Sequence, residues 1–320
     1  MKGDPAAMTT YIAQKLLATI PVMLLVSAGV FLLLHLIPGD PVAAMLGENA
    51  TPEQYAALKH ELGLDLPLPE QYARWLGRVV TGDLGRSIRS GQPIGTALKN
   101  AVAPTAELTV LALLFAIVVG LPAGIIAAVR PGSLPDVMLN LFALLGVSMP
   151  TFWSGILLIF LFSLGLGWLP PSGYAGLTEA PVDSLRYMAL PMIALGSTVA
   201  AVVMRQTRAS MVEVLSNDYV RTAWSKGLAE QSVILRHALW NALIPVITVV
   251  GLTGGLLLGG AVITETIFAI PGMGRVIVSA IFERDFPTVQ AGALLIAMTV
   301  IMMNLVVDVL YAYVDPRVRY

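Results

Sequence analysis

"VMLNLFALLGVSMPTFWSGILLIFLFSLGLGWLPPSGYAGLT", residues 137–178, contains no aspartate, glutamate, lysine or arginine. A helix needs about 20 apolar residues to cross a bilayer core, so this stretch has room for one crossing or two. The choice fixes the number of spans and the side on which the chain ends. Its last part, "GWLPPSGYAG" at 167–176, holds Trp168, two prolines and three glycines, the composition of an interfacial loop. One span at about 137–164 therefore precedes a loop.

Five more charge-free windows lie at 16–39, 108–129, 187–204, 237–264 and 286–307. The chain is 57% hydrophobic and 12% charged, against about 25% charged in soluble domains. It reads as an all-α polytopic membrane protein with six spans. The first window could also be a cleaved signal peptide, with "VAA" at 42–44 as the cleavage site. Leu16 to Leu34 is longer than the roughly 7–15 residues of a signal core, which favours a retained span. Met8 is an alternative start.

Charge bias sets the orientation. With one span at 137–164 and the N-terminus inside, the cytoplasmic segments hold Lys2, Lys15, Arg130, Arg205, Arg208, Arg221, Lys226, Arg236, Arg317 and Arg319. The two short outer loops hold only Arg186, Arg275 and Arg284, as the positive-inside rule requires. Both termini are then cytoplasmic. The chain divides into residues 1–39, the N-terminus and first span; 40–100, an external insertion; and 101–320, a five-helix core. The core spans fall at about 103–129, 137–164, 187–209, 242–265 and 289–313, with a cytoplasmic loop at 210–241.

The insertion carries helix signals. In "TPEQYAALKHELG" (51–63), Thr51 is an N-cap, Pro52 opens the helix, Gln54 closes a capping box and Gly63 follows the last turn. "PEQYARWLGRVV" (69–80) has the pattern of an amphipathic helix. The piece is either a lid on the spans or a contact for something arriving from outside.

Enzyme chemistry finds little support. No G-x-x-x-x-G-K-[ST] phosphate loop is present. His35, His60 and His237 fall in different compartments, and "WSG" at 153–155 lacks the preceding glycine of a nucleophile elbow. "PGD" at 38–40 stands alone at a membrane edge. Ion-coupled carriers need ionisable groups deep in the bilayer, yet Glu107, Glu265 and Asp308 lie toward span ends and read as helix-end or inter-helix partners. Span five repeats Gly251, Gly255 and Gly259 every four residues, a stripe that admits a close helix neighbour. Pro122, Pro150 and Pro191 should bend three other spans.

"NDYVRTAWSKGLAEQSVILRHALWNALIP" (217–245) is the exception, a charged two-part segment between greasy ones. Asn217 or Asp218 caps a short helix, Gly227 stops it, and a second helix runs from Ala229 to about Trp240 before Pro245. Val220, Ala223 and Trp224 line one side of the first helix, with Val233, Ile234 and His237 to Leu239 doing the same for the second. Arg221, Lys226 and Arg236 stay wet. The product is a stiff cytoplasmic elbow joined to spans four and five.

Here the chain resembles the permease subunits of ABC importers of the dipeptide, oligopeptide, nickel and glutathione subclass. "RTAWSKGLAEQSVILRHAL" (221–239) is similar to that subclass's EAA loop, with Ala223 and Gly227 on its alanine and glycine. Arg221 stands where the generic motif has glutamate, and Trp240 where it has proline. "FLLLHLIPGDP" (31–41), "GDLGRSI" (82–88), "SMPTFWSGILLI" (148–159), "PGMGRVIVSAIFERDFPTVQ" (271–290) and "NLVVDVLYAYVDPRVR" (304–319) resemble further signatures, in order.

The resemblance implies a non-catalytic transmembrane subunit in the inner (plasma) membrane, forming half of a peptide pathway and surrounded by lipid. Its partners would be a homologous permease, two ATPase subunits and an extracytoplasmic binding protein, with no nucleic acid involved. ATP and magnesium would sit in the ATPases, leaving no cofactor on this chain. Coupling to the ATPases would fall to Tyr219, Arg221, Thr222, Ala223, Lys226, Gly227, Leu228, His237 and Asn241. Helix packing or the pathway would use Pro150, Gly251, Gly255 and Gly259. Binding-protein docking would use Gly272, Gly274, Arg275, Arg284 and Asp285. The rival from another class is an ion-coupled carrier acting alone.

Overall fold

The computed structural model describes residues 5–36, 42, 46, 51–61 and 63–314. "PGD" at 38–40, "DPR" at 315–317 and the side chain of Asp308 lie outside the described residues. Apart from one isolated bridge between Arg86 and Pro93, the regular structure described is helical. Five helices are long and apolar enough to cross a membrane, and a bent pair makes a sixth crossing when counted as one. They are α1 (Pro5–Leu36), α4 (Ile94–Val129), α7 (Pro181–Leu215), α9 (Glu230–Ile267), α11 (Phe286–Val314) and the pair α5 (Leu134–Ser148) and α6 (Thr151–Gly165). Shorter helices are α2 (Pro52–Glu61), α3 (Leu68–Val80), α8 (Asp218–Ser225) and α10 (Met273–Phe282).

The core forms around α4 and α7, whose small residues let the backbones meet. A Cβ added at Gly120 would sit 2.5 Å from the Ala200 carbonyl oxygen, and one at Gly124 2.5 Å from Thr207 Cβ. On the other helix, a Cβ at Gly196 would come within 2.6 Å of the Ala112 carbonyl oxygen. Ala112, Ala116, Ala194 and Ala200 fill the rest of this seam, and α9 closes over it with Val246, Leu257 and Ala261.

The span expected at 137–164 is present as a bent pair, in which α5 and α6 meet at 108°. Pro150 causes the break. It cannot donate a helical N–H, and it forces its predecessor toward extended backbone, where Met149 is found at φ −81°, ψ 125°. The Pro150 carbonyl then accepts from Trp153 and Ser154, so the proline opens α6. Pro122 and Pro191, expected to bend their spans in the same way, lie inside α4 and α7, which each run unbroken. The core also begins earlier than residue 101, because α4 starts at Ile94.

The capping box forms as the sequence indicates: Thr51 N–H donates to Gln54 Oε1 at 3.0 Å and Gln54 N–H to Thr51 Oγ1 at 3.3 Å. Gly63 follows at φ +67°, a left-handed stop that glycine adopts at no steric cost.

Candidate functional site

The elbow occupies the end of the bundle where α7 finishes and α9 begins. Asn217 is the N-cap of α8, although its side chain makes no capping bond. Lys226 ends the helix, and Gly227 turns the chain at φ +74° while its N–H donates to the Trp224 carbonyl at 2.9 Å. The second arm then departs from expectation. It does not stop near Trp240 but passes through a π-helical segment, Val233–Ala238, and through Pro245 without interruption into α9. Membrane helices tolerate such a proline because nearby groups satisfy the freed carbonyl.

Apolar packing fixes the elbow to the bundle. Val220, Ala223 and Val233 are buried against one another and touch Val214 and Leu215 at the end of α7. Ile234, Ala238 and Ala242 join Met211 of α7 and Ala128 of α4 in a second cluster. Trp224, expected on the packed side, is instead 44% exposed. Asn241 Nδ2 donates to Tyr219 Oη and to the His237 carbonyl, both at 3.0 Å, which ties the two arms together across the turn. Of the nine residues assigned to coupling, Ala223 is buried and His237 half-buried; Tyr219, Arg221, Thr222, Lys226, Gly227, Leu228 and Asn241 lie exposed. The elbow thus offers a polar and aromatic face while its apolar side is welded to two spans.

One buried ion pair lies beside it. Arg208 of α7 donates to both carboxylate oxygens of Asp136, at 2.6 and 2.7 Å, and Asp136 also accepts from Gly132 N–H and Asn140 Nδ2. This clamp holds the start of α5 to α7 about two turns above the elbow. Sequence reading counted Arg208 only as a cytoplasmic charge; a partner 72 residues away leaves no local signal.

At the opposite end of the bundle, the residues assigned to docking separate into two groups. Arg275 and Arg284 are exposed. Gly272, Gly274 and Asp285 are buried, where a docking protein does not reach them. Gly272 backs directly onto the Glu265 carboxylate, and Gly274 onto Val262. Asp285 accepts from Ser87 Oγ (2.6 Å), Ile88 N–H (3.1 Å) and Thr288 Oγ1 (2.7 Å), which fastens the insertion to the start of α11.

Glu265 is a buried inter-helix partner. It accepts from Thr105 Oγ1 of α4 at 2.6 Å and from the Arg275 N–H in the first turn of α10 at 3.1 Å. Met273 N–H in turn donates to Thr105 Oγ1 at 2.9 Å. A carboxylate brought from α9 therefore caps the free N–H groups that open α10. Glu107 likewise accepts from Tyr174 Oη at 2.9 Å, and burial beside this carboxylate pushes the Tyr174 phenol up to about 12. Tyr174 stays a donor, and the loop after α6 stays pinned to α4.

The glycine stripe of α9 serves the chain's own last span. Gly251 abuts Val307, and Gly255 would place a Cβ 3.2 Å from Asn304 Oδ1 on α11, while Gly259 has nothing within 4 Å. Pro150 does its work at the α5–α6 bend.

Comparison with known proteins gives a consistent picture. Residues 120–320 match the family described as binding-protein-dependent transport system inner membrane component, and residues 8–100 match the family of N-terminal segments of such membrane components. The chain is 43% identical over 333 residues to the dipeptide transport system permease protein DppB of Alkalihalophilus pseudofirmus, covering 98% of this chain and 100% of that protein. It is 44% identical over 313 residues to the glutathione transport system permease protein GsiC of Escherichia coli, with the same coverage. Two inward-facing structures of the MetNI methionine ABC transporter share its fold, with TM-scores of 0.55 and 0.58 at 16% identity, over 70% of this chain and 99% of theirs.

Proposed function

This chain belongs to the inner membrane component family of binding-protein-dependent transport systems, and from that membership we propose how its parts divide the work. The chain is a non-catalytic permease subunit of an ABC importer in the inner membrane, acting with ATPase subunits and a substrate-binding protein. The elbow at 217–241 faces the cytoplasm and receives the ATPase, with Tyr219, Arg221, Thr222, Lys226, Leu228 and Asn241 at the contact. Ala223, Gly227 and His237 hold its shape. ATP and magnesium are held by the ATPases and no cofactor by this chain. A second, homologous permease supplies the other half of the pathway.

The observation that carries this reading is the continuity of the elbow with the bundle. Its first arm packs on the end of α7, and its second arm is the beginning of α9. A pull on its exposed face moves two spans at once, as an externally powered channel requires.

The cargo is a short peptide. The two named relatives carry a dipeptide and glutathione, itself a tripeptide, so both cargoes present amide bonds and terminal charges in a small volume. The binding protein docks at the opposite end, through Arg275, Arg284 and the exposed parts of the insertion, while Gly272, Gly274 and Asp285 shape that surface from beneath.

Deletion of residues 221–227 tests the elbow. The protein should still insert, yet neither retain the ATPases on purification nor support peptide uptake. Full ATPase recovery with the deleted protein would remove the elbow from the coupling path.

A further inference from the structure

Helix α3 (Leu68–Val80) has a sharply divided surface. Leu68, Tyr72, Trp75, Leu76 and Val79 fall within one stripe, and Glu70, Ala73, Arg74, Gly77 and Arg78 lie opposite. Tyr72, Trp75, Leu76 and Val79 are only half-buried and Leu68 is 45% exposed, so the stripe is covered in part. An apolar stripe of this kind is stable only with a cover.

Its contact with α1 shows where that cover lies. Tyr72 Oη reaches Ser27 Oγ at 2.8 Å and the Leu24 carbonyl at 3.3 Å, both on α1. The rings of Tyr72 and Trp75 stand 5.5 and 5.8 Å from that of Phe31. The charge-free run carried by α1 starts at Leu16, and about 20 residues at 1.5 Å each cross a bilayer core of about 30 Å. The outer edge of the hydrocarbon therefore falls about one turn beyond Phe31, near position 35. Counting back from there at the same rise, Phe31 lies about 6 Å inside that edge and Ser27 about 12 Å. A water-soluble partner does not reach that depth. Around the anchor α1 leaves apolar side chains uncovered at Leu24, Leu25 and Leu32.

We propose that α3 is an interfacial helix, lying in the plane of the membrane with its Tyr72–Trp75–Leu76–Val79 stripe sunk in the boundary between lipid headgroups and acyl chains. Such helices sink roughly 5–10 Å, the depth at which the Phe31 contact holds this one. Aromatic rings with a polar tip favour that boundary, and Arg74 and Arg78 on the opposite face point to headgroups and water. Of the two roles the insertion offered, a lid or a contact, α3 serves as neither on its apolar side; it floats the insertion on the lipid surface. The inference rests on the chain spanning a membrane and not on the identity of its cargo.

The chain contains no cysteine, so one introduced thiol reports one place. Leu76→Cys, Val79→Cys and Ala73→Cys are labelled with an environment-sensitive fluorophore in the assembled transporter, reconstituted in phosphatidylcholine vesicles. Labels at 76 and 79 should lose fluorescence to lipids carrying a quencher near the headgroup more than to lipids carrying it at mid-chain, and should resist aqueous iodide. The label at 73 should show the reverse. Iodide quenching at both 76 and 79 would overturn the proposal in favour of a water-exposed helix. Protection there from both quenchers would overturn it in favour of a protein cover.

Discussion

Gly227 offers a graded test of the elbow. Its φ of +74° lies in the left-handed region, and a Cβ built there meets nothing within 4 Å, so a substitution acts through the backbone alone. Alanine in that region costs about 1–2 kcal/mol, and about 1.4 kcal/mol is a factor of ten in an equilibrium. Gly227→Ala should therefore lower the population of the intact turn by at most roughly 5- to 30-fold, on the same 1–2 kcal/mol. Asparagine, which tolerates left-handed backbone, should fall between glycine and alanine. Gly227→Pro is incompatible outright, because its φ is fixed near −65° and it removes the N–H that bonds to Trp224. The assay is ATPase binding to the reconstituted permease, measured as an affinity for each variant. The expected order is glycine, asparagine, alanine, proline. Wild-type affinity for Gly227→Pro would refute the reasoning, since no other residue in the turn can replace that backbone.

Paired substitutions test the helix seams: Gly124→Ala should destabilise the protein by about 1–3 kcal/mol, as overpacking does, whereas Gly259→Ala should be neutral or gain up to about 1 kcal/mol of helix propensity. Thermal unfolding in detergent compares the two. Breaking the clamp with Asp136→Asn should cost between the roughly 1 kcal/mol of an exposed pair and the roughly 3–5 kcal/mol of a buried one, because the Arg208 side chain is 30% exposed. The exchange Asp136→Arg with Arg208→Asp should recover part of the melting temperature lost in either single variant. Glu265→Leu strips the acceptor from the Arg275 N–H and leaves Thr105 Oγ1 only the Ala101 carbonyl at 3.2 Å, at about 1–3 kcal/mol for the N–H left unpaired, so amide exchange in the first turn of α10 should quicken while α7 is unchanged.

What the sequence disclosed was local. The capping box at Thr51 and Gln54, the left-handed stop at Gly227 and the run of spans each follow from a few neighbouring residues, and each formed. Three prolines show the limit. Pro122, Pro150 and Pro191 read alike, yet only Pro150 follows a residue held in extended backbone, and only there does the helix break. The stripe at Gly251, Gly255 and Gly259 shows it again: the spacing is regular, but only the first two face α11. Gly272, Gly274 and Asp285, assigned to docking, are buried. Those residues are constrained by what lies behind them, a carboxylate, a valine and a hydroxyl, and a single sequence cannot say whether a constrained residue looks outward or inward. Pairs such as Ser87 with Asp285, 198 residues apart, were beyond any periodicity.

The two ends of the molecule are joined by one element. α9 begins in the elbow at Glu230 and carries Glu265 at its other end, a helix of 38 residues and about 57 Å at 1.5 Å per residue. Along that length it is gripped by α7 and α4 through Ile234, Ala238, Ala242, Val246, Leu257 and Ala261, by α11 through Gly251 and Gly255, and by α10 at Val262. Its least regular part lies between Val233 and Pro245, where the π-helical segment and the proline depart from the regular α-helical hydrogen-bond pattern. A push at the elbow is therefore absorbed in two ways: bending near Pro245, or a rigid shift that draws Glu265 away from Thr105. The Asp136–Arg208 clamp favours the second, because it prevents α7 from following the elbow without α5. The elbow and the Glu265 contacts with Thr105 and Arg275 thus sit at the two ends of one continuous helix, so a rigid shift of that helix would alter both.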